Sequence, residues 1–510
     1  LSLVGSEMCI RDSNDSVGLC RKRYFCDKRE RNKGIKRSDG EEMNRSTKFI
    51  NDIFIYAIGN LGSKLITFLL VPLYTYYISP DDFGYYDIVL TLTFLAMGFI
   101  TFQLRDGTFR FLLDNEDEYT RKGVVSFSYK LMAQSSLVVL LVGIVFSFFY
   151  DIRDWGCIVA FVITLSLYEV EVQIVRGLGQ NKSFVLAGIL TAFQIGLYSL
   201  IFVAWLRMGI AGIFCSNILS RLVTMVIIEF RARVFKRYFI VSFRDKSLNR
   251  ALLKYSLPLL PNAVCWWLLG SSSRLFIEHF LGLEANGIFA VAMKFSTILE
   301  TFSVIVYQAW QETAIKQYGA ADRSKFFSRI FNTYILILSV LALIFVFVLK
   351  INYSWLVDSR YLESLQYLYP MFISVICFAL ASFYDLGYQC SKQTVRNLPG
   401  VITTTGLNLI MNYVFIRFMG IWGIVLSSIL SYLFMLGFRI IDTWKFFPVK
   451  VSLEIIYPIL FLIGGAIVFY RVDSIILQII YITVVVILSY CIQPRSIRQE
   501  LQMKIKALFN

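Results

Sequence analysis

What most constrains this chain is the recurrence of apolar blocks, each close to the roughly 20 residues an α-helix needs to cross a bilayer core. Fourteen such spans are expected, near residues 50–78, 84–104, 126–150, 156–176, 184–206, 209–230, 252–275, 287–309, 327–349, 365–388, 398–417, 420–440, 452–470 and 474–493. The blocks are hydrophobic on every face, whereas a helix at the surface of a soluble protein keeps a polar side. Composition agrees: 57% of the 510 residues are hydrophobic and only 17% charged. The expected fold is an all-α membrane protein of about fourteen transmembrane helices.

The loops orient the spans. Lys and Arg accumulate on the cytoplasmic side of membrane proteins. One set of loops, from Arg105 to Lys450, carries 23 of these residues and includes Arg439. The other set carries 7: Arg153, Arg207, Arg274, Lys350, Arg360, Arg417 and Arg471. The richer set is read as cytoplasmic, which puts both termini on the cytoplasmic side. The net charge of +15 follows from this topology rather than from nucleic-acid binding. Loops on the outer side are too short for a catalytic domain.

Residues 1–42 form a separate, hydrophilic stretch. The opening LSLVGSEMCIRDS resembles translated adapter sequence, and Asp39-Gly40-Glu41-Glu42 requires purine-rich codons directly before Met43. Met43 is therefore the expected start. The competing reading is a disordered basic tail that touches anionic lipid. The stretch lacks the apolar core of a signal peptide.

An internal repeat divides the rest. Ile78-Ser79-Pro80-Asp81-Asp82-Phe83-Gly84-Tyr85-Tyr86-Asp87-Ile88 aligns with residues 281–291 at an offset of 203, and Met208-Gly209-Ile210-Ala211-Gly212-Ile213 with residues 419–424 at an offset of 211. Six spans per repeat predict two lobes of like orientation around a cleft. The expected divisions are an N-lobe over 43–230, a basic linker over 231–251, a C-lobe over 252–440, and two further spans with a tail over 441–510.

Neither a GxSxG elbow, a Walker loop nor an HExxH pair occurs. The nine cysteines form no CxxC pair, and His279 is the one histidine. Thus an enzyme is not expected, nor a structural disulfide, a metal site or a cofactor.

Polar residues inside spans are the candidate functional groups, because a charge at the bilayer centre costs about 2.5–3.5 kcal/mol on insertion scales and tends to face a bundle interior or wet cavity. Asn60, Lys64, Thr67 and Tyr74 share one face of the first span. Lys294, Thr297, Thr301 and Gln308 share one face of the eighth. Asn262, Trp266 and Ser273 do so in the seventh, with Arg274 adjoining. Lys64, Arg274 and Lys294 are the candidate cations of a cavity, and Asn60, Asn262 and Gln308 its polar groups. Glu169, Glu171 and Asp385 are candidates for ion coupling or for internal ion pairs. Two of the cations have a structural alternative: Lys64 snorkelling or pairing with an acid for packing, and Arg274 capping its span.

Tyr255-Ser256-Leu257-Pro258-Leu259-Leu260-Pro261-Asn262, Trp266-Trp267, Ser272-Ser273-Arg274-Leu275-Phe276-Ile277, Phe280-Leu281-Gly282, Asn286-Gly287-Ile288-Phe289 and Gln308-Ala309-Trp310-Gln311 together resemble the seventh and eighth spans of bacterial polysaccharide-biosynthesis flippases, of the multidrug/oligosaccharidyl-lipid/polysaccharide exporter superfamily. Pro72-Leu73-Tyr74 and the Asp82–Tyr86 turn extend the resemblance, which covers about residues 44–450. It implies two six-helix lobes and export of polyprenyl-diphosphate-linked oligosaccharide by alternating access, for O-antigen, capsule or exopolysaccharide. The implied partners are that lipid-linked substrate, membrane lipid and other polysaccharide assembly proteins. In one respect the chain departs: the family often has Asp before the arginine, where this chain has Ser273. A multidrug or cation antiporter of the same superfamily is the alternative, as is a peptidoglycan-precursor flippase. An antiporter needs acidic cavity groups.

Overall fold

The computed structural model describes residues 68–115, 117–319 and 323–492, and among these every regular element is helical. The described part of the first span is α1 (Phe68–Tyr77). There follow α2 (Pro80–Ile100), α3 (Leu104–Asp114), α4 (Glu118–Ser147), α5 (Trp155–Gly177), α6 (Asn181–Ser199, continued by a π turn to Trp205) and α7 (Gly209–Ala232). Two short helices, α8 (Val234–Tyr238) and α9 (Lys246–Ser256), lead to α10 (Leu259–Leu281) and α11 (Leu283–Gln317). The chain continues through α12 (Arg323–Leu356), α13 (Leu365–Cys390), α14 (Leu398–Met419), α15 (Ile421–Thr443), α16 (Ile456–Arg471) and α17 (Ile475–Ile492).

Among the described residues, 12 helices are long and apolar enough to cross a membrane. The expected fourteen differ from these at two places. The first span lies mostly outside the described residues, leaving α1. The seventh, expected at 252–275, is displaced: α10 starts at Leu259, and its 23 residues include Asn262, three consecutive serines, Arg274 and Glu278, too polar to be counted with the twelve. The cause is local. Asp245 caps α9 by accepting from the backbone N–H groups of Ser247 and Leu248, and Pro258 and Pro261 then supply no N–H to continue the helix. Residues 246–256 thus form a separate amphipathic helix packed on α3 and α4.

Packing sorts the helices into two groups. In the first, α5 packs on α3, α4 and α7, and α6 packs on α7. In the second, α15 packs on α13 and α14, α11 on α13, and α10 on α14. Helices α16 and α17 pack on α12. The groups meet through α2, which lies against both α10 and α11.

The repeat motifs sit where the chain needs them. Ser79 accepts from the Asp82 backbone N–H at 3.2 Å and Pro80 takes the first turn, which starts α2. One turn in, Gly84 meets α11. A Cβ on Gly84 would lie 1.9 Å from the Leu283 carbonyl oxygen, and one on Gly287 would lie 1.9 Å from the Pro80 carbonyl oxygen. The two contacts are reciprocal, each setting the glycine of one repeat against the residue four positions before the glycine of the other. Asn286 Nδ2 donates to the Gly84 carbonyl at 3.0 Å across the same contact. The second motif acts inside each group: Gly209 and Gly420 take φ of +61° and +56°, a region that favours glycine, and turn the chain into α7 and α15.

Gly84→Ala or Gly287→Ala forces the two backbones apart. Either substitution is expected to destabilise this arrangement by about 1–3 kcal/mol, the usual cost of overpacking. Gly188→Ala, where nothing lies within 4 Å, should stay within about 0.5 kcal/mol of the parent protein. Thermal unfolding in detergent checks this, and equal midpoints for all three variants would rule the contact out.

Candidate translocation seam

Helix α2 gathers the candidate side chains of α10 and α11 along one side. Residues 83, 87 and 91 are spaced by four and share a helix face. At the first, the Phe83 ring lies beneath Lys294 Nζ, 5.6 Å from the ring centroid. At the second, Arg274 Nε donates to Asp87 Oδ2 at 2.7 Å, with side-chain exposures of 16% and 6%. At the third, Trp267 Nε1 donates to the Thr91 carbonyl at 3.0 Å. The structure therefore brings Arg274 and Lys294 to one seam between the two groups. Asp87 was not singled out from sequence, although a carboxylate inside an apolar block was the available signal. It supplies from α2 the negative charge that Ser273 lacks.

The polar stripe on α11 is partly turned inward. Thr297 donates to the Lys294 carbonyl and Thr301 to the Thr297 carbonyl, both at 2.7 Å. Gln308 is exposed and Asn262 partly buried. Lys64 and Asn60 lie outside the described residues.

The candidate acids lie away from the seam, one set in each group. Glu169 accepts from Arg105 Nη1 at 3.2 Å. Glu171 is buried and accepts from the Tyr129 hydroxyl. Asp385 accepts from Asn397 at 2.6 Å, Gln389 at 3.0 Å and Tyr307 at 3.2 Å, and Arg439 Nη2 stands 3.2 Å from it. Arg439 requires a correction. Its count among the loop cations fails, since it is 1% exposed inside α15, where it also donates to the Ala381 carbonyl at 2.8 Å. A charge near the end of an apolar block reads as loop until its packing is seen.

At the Pro80 end of α2 the two groups are stitched together. Arg360 Nη2 donates to the Thr75 and Tyr76 carbonyls, both at 3.1 Å. Tyr361 donates to the Ile78 carbonyl at 3.1 Å, and Tyr76 to the Trp355 carbonyl at 3.2 Å. Asp358 accepts from Arg360 Nε at 2.8 Å, a bond that holds its carboxyl below the usual range. All the bonds named between the groups fall between this end and Thr91.

Breaking the Asp87–Arg274 pair leaves one buried charge without its partner, which costs about 3–5 kcal/mol. Asp87→Asn and Arg274→Gln are each expected to lower the thermal midpoint. The double variant should lose less than the two single losses together. Strict additivity would show that the side chains do not interact.

The profile of the family described as polysaccharide biosynthesis protein matches residues 49–310. No curated protein matches. Among solved structures, a lipid II flippase MurJ in an inward closed conformation matches with TM-score 0.67 at 12% identity, covering 86% of this chain and 98% of that one. An inward-facing multidrug resistance MATE family transporter of the MOP superfamily matches with TM-score 0.61 at 14% identity, covering 76% and 98%. An outward-facing form matches with TM-score 0.55 at 13% identity, covering 77% and 95%. The matched family profile, spanning half of the chain, together with these shared folds places the protein: it is a multi-pass membrane protein that belongs to the polysaccharide biosynthesis protein family and has the fold of MOP-superfamily transporters.

Proposed function

We propose that the protein flips polyprenyl-diphosphate-linked oligosaccharide units across the bacterial cytoplasmic membrane, by alternating access, for surface polysaccharide assembly. The observation that carries this reading is the placement of Lys294 and Arg274 along the α2 seam between the two lobes. A diphosphate head group crossing hydrocarbon meets a desolvation barrier, which fixed cations beside a hydrated seam lower. Direction is not the obstacle: a negative-inside potential favours outward movement of an anion by about 2.3 kcal/mol per charge per 100 mV. The polyprenyl tail remains in lipid throughout.

With both termini cytoplasmic, the Pro80 end faces outward. The Arg360 and Tyr361 bonds and the Gly84–Gly287 contact then form an outer seal, and the described state is one closed to the outside. The positive groups assigned to the substrate are Lys64, Arg274 and Lys294, with Arg274 held by Asp87 in the described state. Asn60, Asn262 and Gln308 are assigned to sugar hydroxyls. No cofactor enters the scheme.

The test is export of oligosaccharide in a flippase-null bacterial strain. The parent chain should restore export, and Lys64→Ala with Lys294→Ala should reduce it at least about tenfold, equivalent to 1.4 kcal/mol. Full export by the double variant removes the anion path. Rescue of peptidoglycan-precursor flipping instead, or of drug resistance, reassigns the substrate to those alternatives.

A further inference from the structure

Arg221 lies midway along α7, at the depth of the bilayer core, yet it plays no part in the seam or the outer seal. Its Nη1 donates to the carbonyl of Asn217 at 2.8 Å and to Asn217 Oδ1 at 2.9 Å. The guanidinium stands over the rings of Phe161, at 5.5 Å, and Tyr168, at 6.0 Å. Its Nε is shielded from solvent and has no hydrogen-bond partner. Among the described residues no carboxylate comes within 4.0 Å of it. Glu169, on the neighbouring helix, is taken by Arg105. Among the described residues the cation is therefore held by one edge, with Glu169 acting on it only at longer range and no carboxylate in contact, and the residue as a whole is partly exposed.

The unused edge has a specific chemistry. Nε and Nη2 of a guanidinium are parallel donors that match two oxygens of a phosphate or carboxylate. Asn217 fixes the opposite corner, and the rings of Phe161 and Tyr168 hold the plane. Asn217 itself is anchored, donating to the Ile213 carbonyl at 2.9 Å and to the Tyr86 hydroxyl at 3.4 Å. A charge without a contacting carboxylate at this depth is expensive, and such residues mark ligand pathways. We propose that Arg221 is the anchor of an oxyanion-binding site inside the N-lobe, distinct from the α2 seam, that takes a phosphate or diphosphate group. The group comes either from the lipid-linked substrate or from solution. The first source rests on the flippase reading; the second does not.

Binding to the full chain in nanodiscs decides between them, with a sugar-free polyprenyl diphosphate and inorganic pyrophosphate as separate probes. The native chain is expected to bind at least one. Arg221→Gln should weaken that binding at least about tenfold, the scale of a lost charge-assisted bidentate contact. Arg221→Lys keeps the charge but not the fork, and should bind more weakly than the native chain. Loss for the lipid probe alone assigns the site to substrate; loss for both assigns it to any diphosphate. A folded Arg221→Gln protein that binds both probes like the native chain overturns the site, as does a native chain that binds neither. Should Arg221→Gln fail to fold, undiminished binding by Arg221→Lys overturns the bidentate assignment. A native chain that restores export alongside undiminished Arg221→Gln binding defeats this site and leaves the flippase reading. Pyrophosphate binding that is lost in Arg221→Gln, in a chain that restores no export, does the reverse.

Discussion

The architecture turns on two backbones touching. Where α2 and α11 begin, Gly84 and Gly287 bring each helix against the other's carbonyl oxygens, at distances no side chain permits. In lipid there is little hydrophobic drive between helices, so close approach through small residues and interhelical hydrogen bonds does the work of association. The contact fixes α2 between the lobes. With α2 fixed, Phe83, Asp87 and Thr91 present one continuous edge to α10 and α11. The Lys294 side of the seam depends on the glycine pair, because any side chain at either position would displace α2 from α11.

Charge placement separates what holds a lobe rigid from what joins the lobes. Arg105–Glu169 and Arg439–Asp385 each lie within one lobe, so they travel with it as a unit. Asp87–Arg274 spans the two. In a low-dielectric interior an ion pair is tolerated only where each charge keeps its partner and further hydrogen bonds, which Asp385 meets with three donors besides Arg439. Asp87–Arg274 has a leaner shell: Arg274 adds only a 3.3 Å bond to the Gly270 carbonyl. The interlobe pair is the more readily exchanged for water, because fewer bonds hold it.

Much of the fold was legible because membrane crossing is written in composition and length. The apolar blocks located the helices, and the two repeat motifs marked the α2–α11 glycine contact and the α7 and α15 turns. The start of α10 was misjudged because apolar residues flank Pro258 on both sides, and hydropathy does not register a lost N–H donor. The site was less legible. Arg274 and Lys294 stood out as charges in spans, but Asp87 followed a turn motif and read as part of it. Arg221 and Arg439 sat in blocks apolar enough to be treated as scaffold or loop edge. Partnership between charges on different helices depends on rotation about each helix axis, which a single sequence constrains only through its apolar face.

The hydrogen-bonded seal at the Pro80 end of α2 is built to open cheaply. Its hydrogen bonds are aimed at backbone carbonyls of residues 75–78 and 355, at a membrane edge where water replaces each partner as it leaves. A hydrogen bond exchanged for water nets about 0.5–1.5 kcal/mol, so the four bonds together resist opening by a few kcal/mol. That is the range in which a second conformation stays populated enough for a ligand to select. The glycine contact adds packing without adding a charge that would have to be solvated on separation. The charged donor of the seal, Arg360, keeps its Asp358 partner within its own group, so its bonds to the Thr75 and Tyr76 carbonyls break without leaving an ion unpaired.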